Sequence, residues 1–149
     1  MNKPVDKKSV WLVILLSIVT LGTYIPYWLY QRLDAFNQLK SREKLDKTIV
    51  TAVLAMYCFT TVLYICTSIY ELFYPGNLVF EKIDQVGRVI DFVSSITMLY
   101  LTFIVRKIIE DNFKTKLSGV ATFFFSIYYL QFRINKELSK SEQGESIKV

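Results

Sequence analysis

The sequence predicts an all-α integral membrane protein, with two central transmembrane helices flanked by re-entrant or kinked hydrophobic helices; a four-helix transmembrane bundle is the alternative. Three observations predict it. Of the 149 residues, 52% are hydrophobic and only 21% are charged, a balance that neither a soluble domain nor a disordered chain sustains. Residues 9–31 and 48–70 are each 23 residues long without a charge, beyond the ~18 apolar residues that mark a membrane-spanning candidate. The 18 Lys and Arg residues fall almost entirely outside the apolar segments. The chain reads as a single polytopic membrane domain over residues 1–149 with short cytoplasmic tails, its hydrophobic segments lying at about 9–30, 48–70, 86–105 and 117–132.

The first segment follows Lys3, Lys7 and Lys8, as a signal peptide would, but bulky Tyr, Ile and Trp stand where a small-residue cleavage site belongs, so it reads as an uncleaved anchor. It is interrupted. Gly22 and Pro26 lie four residues apart in its middle, and Pro also biases the preceding residue away from helix. The expectation is a helix over residues 9–20 and a second starting at Pro26, which suits a first helical position. Each piece reaches only about 18–20 Å, short for a crossing and suited to a re-entrant hairpin.

The second segment, residues 48–70, spans about 34 Å as a helix against a ~30 Å hydrocarbon core. Cys58 and Cys66 lie on it eight residues apart; at about 12 Å along a helix they are too distant for a disulfide and read as buried small hydrophobes. Tyr74-Pro75-Gly76-Asn77 carries a type II turn signal, with Pro fixing one φ and Gly supplying the positive one, so the second and third segments form a helical hairpin. Phe73, Tyr74, Leu78, Val79 and Phe80 would lie in the interfacial aromatic layer beside it. The third segment has a charge-free stretch of only 14 residues, 92–105, and needs Arg88 and Asp91 at headgroup level.

The fourth segment opens at Gly119. Its end, Tyr128-Tyr129-Leu130-Gln131-Phe132-Arg133-Ile134, matches Tyr27-Trp28-Leu29-Tyr30-Gln31-Arg32-Leu33 at three of seven positions with two conservative changes. An internal duplication and chance similarity in an aromatic-rich chain are both open readings.

Counting bases separates the topologies. If all four segments cross, Lys and Arg divide nine and nine, and the positive-inside rule assigns no orientation. If the first and fourth segments dip in and return, sixteen bases lie on one side and two on the other. The second arrangement is preferred, with both termini cytoplasmic. The excess of bases, a net charge of +5, then reads as orientation and contact with anionic lipid headgroups, not as a nucleic-acid footprint.

The stretch Ser17-Ile18-Val19-Thr20-Leu21-Gly22-Thr23-Tyr24-Ile25-Pro26-Tyr27-Trp28-Leu29-Tyr30, followed by Asn37, resembles a bacterial domain-of-unknown-function family of small integral membrane proteins. Its recurring feature is a Thr-x-Gly-x-Tyr turn, then Tyr-Trp and a following Asn. Tyr129-Leu130-Gln131 with Ile134-Asn135 looks like that family's closing motif. The chain departs from the pattern in Pro26 and in Asp34. The resemblance implies the bacterial cytoplasmic (inner) membrane and brings no established activity and no catalytic residues.

The residues themselves also point away from chemistry. Histidine is absent, no segment carries a carboxylate near its centre, and no cluster has metal-ligand spacing, so no enzyme activity, catalytic residue, cofactor or metal is expected. The candidate lipid- or partner-contact residues are Thr20, Gly22, Tyr24, Pro26, Tyr27, Trp28, Arg32 and Asn37, because non-helical backbone at membrane depth commonly lines a site. Arg88 and Asp91, at i and i+3, form a candidate intramembrane pair, read either as an interfacial marker of helix entry or as a gate. Hydroxyls on the second and third segments (Thr51, Thr60, Thr61, Thr67, Ser68; Ser94, Ser95, Thr97, Thr102), with Ala52 and Ala55, serve either close helix packing or a pore-lining stripe. The expected role is non-enzymatic: an accessory, assembly or immunity protein acting through contact with membrane lipids, with its own copies or with a membrane-protein partner. The alternative is a pore-forming or membrane-perturbing oligomer of holin or defence-effector type.

Overall fold

A computed structural model describes residues 7–75 and 78–146. The regular elements among the described residues are all helices, as the sequence predicts, with no strand among them: α1 (Val10–Val19), α2 (Tyr24–Gln38), α3 (Lys47–Phe73), α4 (Leu78–Phe113) and α5 (Gly119–Ser146). The turn expected at Tyr74-Pro75-Gly76-Asn77 falls in part outside the described residues, but α3 and α4 pack along one another as the predicted hairpin. Two helices, Lys47–Phe73 and Phe80–Phe113, are long and apolar enough to cross a membrane.

The first segment breaks where Gly22 forecast, by a device the sequence did not disclose. Leu21 and Gly22 take consecutive positive φ angles, 50° and 90°, and Gly22 N–H donates back to Ser17 O at 2.7 Å, the long bond of a Schellman-type helix stop. Thr20 then serves both helices. Its hydroxyl donates to Leu16 O at 2.8 Å, which also accepts Thr20 N–H at 3.0 Å, and accepts from Tyr24 N–H at 2.9 Å, so one side chain ties the last turn of α1 to an orphan N–H of α2. Helix α2 starts at Tyr24, two residues before the expected Pro26. Pro26 is third in the helix, where its missing N–H has no helical partner to lose.

The other boundaries move outward. Helix α4 begins well before residue 86 and ends past 105, because the flanking charges Glu81, Asp84, Arg106 and Glu110 are compatible with helix and only the membrane criterion excluded them. Helix α5 starts at the expected Gly119 but is broken at Ser126 (φ 41°, ψ −124°), which divides it into residues 119–125 and 127–146.

Helices α3 and α4 run antiparallel. Tyr70 stacks on Phe80 with ring centroids 3.7 Å apart, a Cβ at Gly87 would stand 3.1 Å from Leu63 Cδ2, and Tyr57 Oη lies 3.3 Å from Ser95 Oγ. Gly87 is therefore the close approach, whereas Ala52 and Ala55 are exposed. Thr60, Thr67, Ser94 and Thr102 are buried and donate to carbonyls of their own helices, which supports the close-packing reading of those hydroxyls. Thr23 Oγ1 lies 2.8 Å from Thr61 Oγ1 and sets the α1–α2 tip against the middle of α3. Ser126 Oγ meets Thr102 Oγ1 at 3.2 Å, fixing the break of α5 against α4.

The core runs through Val13, Trp28, Phe36, Val50, Leu101, Ile108, Leu130 and Ile134. Large apolar side chains also lie on the outside of every helix, among them Trp11 on α1, Phe59 and Ile69 on α3, Phe92 on α4 and Phe124 on α5. Cys58 and Cys66 belong to this outer surface: they are unbridged, and exposed rather than buried as expected, because they lie on the side of α3 away from α4.

The two positive-φ residues of the α1–α2 reversal generate opposite expectations. Gly22→Ala should lower stability by about 1 kcal/mol, since a Cβ is strained at that φ although the space around it is empty. Leu21→Gly should be neutral or stabilising by up to about 1 kcal/mol, because the Leu21 side chain is exposed and buries little. Denaturation of the detergent-solubilised protein measures both.

Candidate functional site

Most residues singled out at the first turn are internal. Tyr24, Pro26, Trp28 and Arg32 are buried, Thr20 and Gly22 build the reversal, and Tyr27 remains exposed. One of the buried members, Trp28, reaches α5. Trp28 Nε1 donates to Gln131 Oε1 at 2.9 Å, with both residues 0% exposed. Gln131 Nε2 donates to Asn135 Oδ1 at 2.7 Å. Asn135 in turn holds the chain just before α1, its Nδ2 donating to Lys8 O at 2.7 Å and its Oδ1 accepting Lys8 N–H at 3.3 Å. Lys8 Nζ reaches Gln31 Oε1 at 3.2 Å. The Arg32 guanidinium lies over the Trp28 ring, 4.7 Å from its centroid, in a cation–π arrangement.

Asn37 repeats this clamp elsewhere. Its Nδ2 donates to Leu45 O at 2.9 Å and its Oδ1 accepts Leu45 N–H at 2.7 Å, so the end of α2 grips the loop that leads into α3. Asp46 then caps α3 by accepting Thr48 N–H at 2.6 Å and Ile49 N–H at 3.2 Å. Lys44 Nζ donates to the carbonyls of Asn37 and Leu39 at the end of α2, where a cation also complements the helix dipole.

A second cluster, which the sequence indicated only as a run of bases, forms at the α4–α5 corner. Arg106, Lys114, Thr115 and Lys116 line an open cleft of about 430 Å³ with Glu110 and Asp111. Both carboxylates are engaged: Glu110 accepts from Arg106 Nη2 at 3.0 Å and from Leu117 N–H at 2.7 Å, and Asp111 accepts from Ser41 Oγ at 2.7 Å. Arg106 Nε and Thr115 Oγ1 are buried without a hydrogen-bond partner. Val120, Phe123 and Phe124 are exposed on the helix that leaves this corner.

Arg88 forms its ion pair with Asp84, Nε to Oδ2 at 2.9 Å. Asp91 lines a cleft with both of them and with Thr60 and Tyr64.

The residues of the polar tie are those of the Tyr-Trp and Tyr-Leu-Gln motifs, and the family described as Domain of unknown function (DUF4234) matches residues 8–140. The chain belongs to that family. No curated protein and no solved structure matches the chain. The DUF4234 match begins at Lys8, which Asn135 grips, and extends past Asn135, so both sides of the tie lie within it.

Because the Trp28–Gln131 bond is buried, Gln131→Leu should cost about 1–3 kcal/mol by stranding the indole N–H. Adding Trp28→Phe to Gln131→Leu should cost less than the sum of the two single changes, with a coupling above ~0.5 kcal/mol in a double-mutant cycle of denaturation midpoints.

Proposed function

We propose that the protein is a non-enzymatic bacterial inner-membrane protein that acts through contact with anionic lipid and with proteins at its cytoplasmic face. In this reading α3 and α4 cross the membrane, the α1–α2 hairpin and α5 enter from the cytoplasmic side and return, and both termini are cytoplasmic. The outward apolar side chains on every helix support a lipid environment, since a soluble monomer rarely exposes a continuous apolar surface. The reversal at residues 20–23 supports partial insertion, because its polar groups are met internally by Thr20, Thr23 and Thr61, as backbone at membrane depth requires.

The observation that carries the contact role is the α4–α5 cleft. Arg106 is the first charge after the charge-free stretch 92–105, which sets it at headgroup level. Lys114 and Lys116 stand beside it, while Val120 and Phe124 present apolar surface on the membrane side. An anionic phospholipid matches both parts: its phosphate meets the bases, its acyl chains meet the exposed arm of α5, and the Arg106 Nε–H and Thr115 hydroxyl each gain a phosphate oxygen as the acceptor they lack once their side chains turn toward it. Lys40 and Arg42, on the loop held to Asp111, widen the basic surface to which an acidic partner would dock.

Purified protein in neutral detergent should gain several degrees of thermal stability from phosphatidylglycerol and little from phosphatidylcholine. Lys114→Ala combined with Lys116→Ala should remove most of the difference without lowering the lipid-free midpoint. Equal stabilisation by both lipids, or an unchanged response in the double variant, overturns the proposed headgroup site.

A further inference from the structure

We infer that a second copy of this chain closes the polar groove that runs along the α3–α4 hairpin. The inference rests on the membrane placement above but concerns the opposite half of the molecule. On α4, Glu81, Asp84, Arg88, Asp91 and Ser95 recur at alternating steps of three and four residues, which keeps them on one helix face. On α3, Tyr57, Thr60, Tyr64, Thr67 and Glu71 follow the same rhythm. The two stripes border adjoining clefts of about 450 and 280 Å³, and the Tyr57–Ser95 contact continues them inward.

Depth makes this groove costly to leave against acyl chains. Asp91 shares a cleft with Thr60, and Thr60 is one residue from the centre of the 23-residue charge-free run 48–70. With α3 spanning the bilayer, Asp91 lies near the midplane, not at the headgroup level expected from the charge-free stretch 92–105, because it lines the cleft beside Thr60, and Arg88 and Asp84 lie within about 11 Å of it along α4. The Arg88 side chain is 75% exposed and that of Asp84 35%. Charged groups at this depth almost always face a partner or a water-filled space instead of acyl chains.

Charge pattern and orientation select a second copy. Arg88 has a carboxylate one turn away on either side, Asp84 and Asp91, a pattern complementary to itself. The uneven distribution of bases inserts every copy in the same sense, so two copies are related by an axis along the membrane normal, and equal residues lie at equal depth. Each Arg88 then stands within a turn of the second copy's Asp84 and Asp91, an isologous arrangement. Glu71 and Glu81 lie at the outer end, where water reaches them.

The test uses full-length protein in native membranes, in a Cys58→Ser, Cys66→Ser background. Ser95→Cys, within the groove, should give a disulfide-linked dimer on mild oxidation, and Ile69→Cys, on the opposite face of α3, should not. Two differently tagged copies should co-purify; Arg88→Glu should reduce their recovery at least tenfold, and Asp91→Arg added to it should restore recovery. Crosslinking at Ile69→Cys with none at Ser95→Cys overturns the inference, as does unchanged recovery with Arg88→Glu. Release of the protein from membranes by alkaline carbonate is the separate result that overturns the membrane placement itself.

Discussion

The hydrogen bond from the Trp28 indole to Gln131 joins the two ends of the chain, and the rest of the arrangement follows from it. An indole N–H and a carboxamide wholly withdrawn from solvent each need a partner, and in a low-dielectric interior leaving one unpaired is costly. The bond therefore sets the rotation of both helices. With Gln131 turned inward, Asn135 comes one turn further along the same face and takes the backbone of Lys8. That fixes where α1 begins, and the length of α1 fixes where the reversal at Leu21 and Gly22 meets Thr61. Polar contacts of modest individual strength thus position α1 and α2, whose apolar surfaces alone would tolerate sliding.

The two asparagine clamps suggest why the chain shows internal likeness. Asn37 and Asn135 each follow the shared Tyr-x-Leu-x-x-Arg pattern, and each pairs its amide with the N–H and C=O of one residue in a segment leading into a helix. Leu29 and Leu130 are buried in both halves, as are Leu33 and Ile134. A left-handed break precedes each pattern, at Leu21 and Gly22 in one and at Ser126 in the other. The spacing from break to pattern differs, and Tyr30 is exposed where Gln131 is buried, so any common ancestry has been reshaped around the single Trp28–Gln131 contact.

Local signals made the helices legible. Residues 48–70 were readable as one helix because a charge-free run needs no tertiary information, and Gly22 and Gly119 announced a break and a start through backbone chemistry alone. The Ser126 break had no such sign: Phe-Phe-Phe-Ser-Ile is an ordinary helical run, and the contact with Thr102 lies on another helix. Trp28 reads as a lipid- or partner-contact residue because it flanks the non-helical turn at Gly22, and such backbone at membrane depth commonly lines a site. Its burial depends on a glutamine 103 positions away, although the presence of both residues in family-like motifs was the available clue. Cys58 and Cys66 are exposed where burial was expected, because the core and the apolar outer surface of these helices carry the same residue types, so hydropathy cannot separate inside from outside. The basic corner was visible as charge but not as a cleft, since Arg106 and Lys116 are brought together by the turn at Lys114.

The proposed arrangement stands or falls on whether the first hydrophobic segment returns to the side it entered from. Single cysteines at Ser9, Ser41 and Asn77, in a chain with Cys58 and Cys66 replaced by serine, can be probed in intact cells and in inverted vesicles with a membrane-impermeant thiol reagent. Two crossings require Ser9→Cys and Ser41→Cys to react only in inverted vesicles, and Asn77→Cys only in intact cells. Ser9→Cys and Ser41→Cys reacting from opposite faces would show that the first segment crosses, and would contradict the half-inserted hairpin.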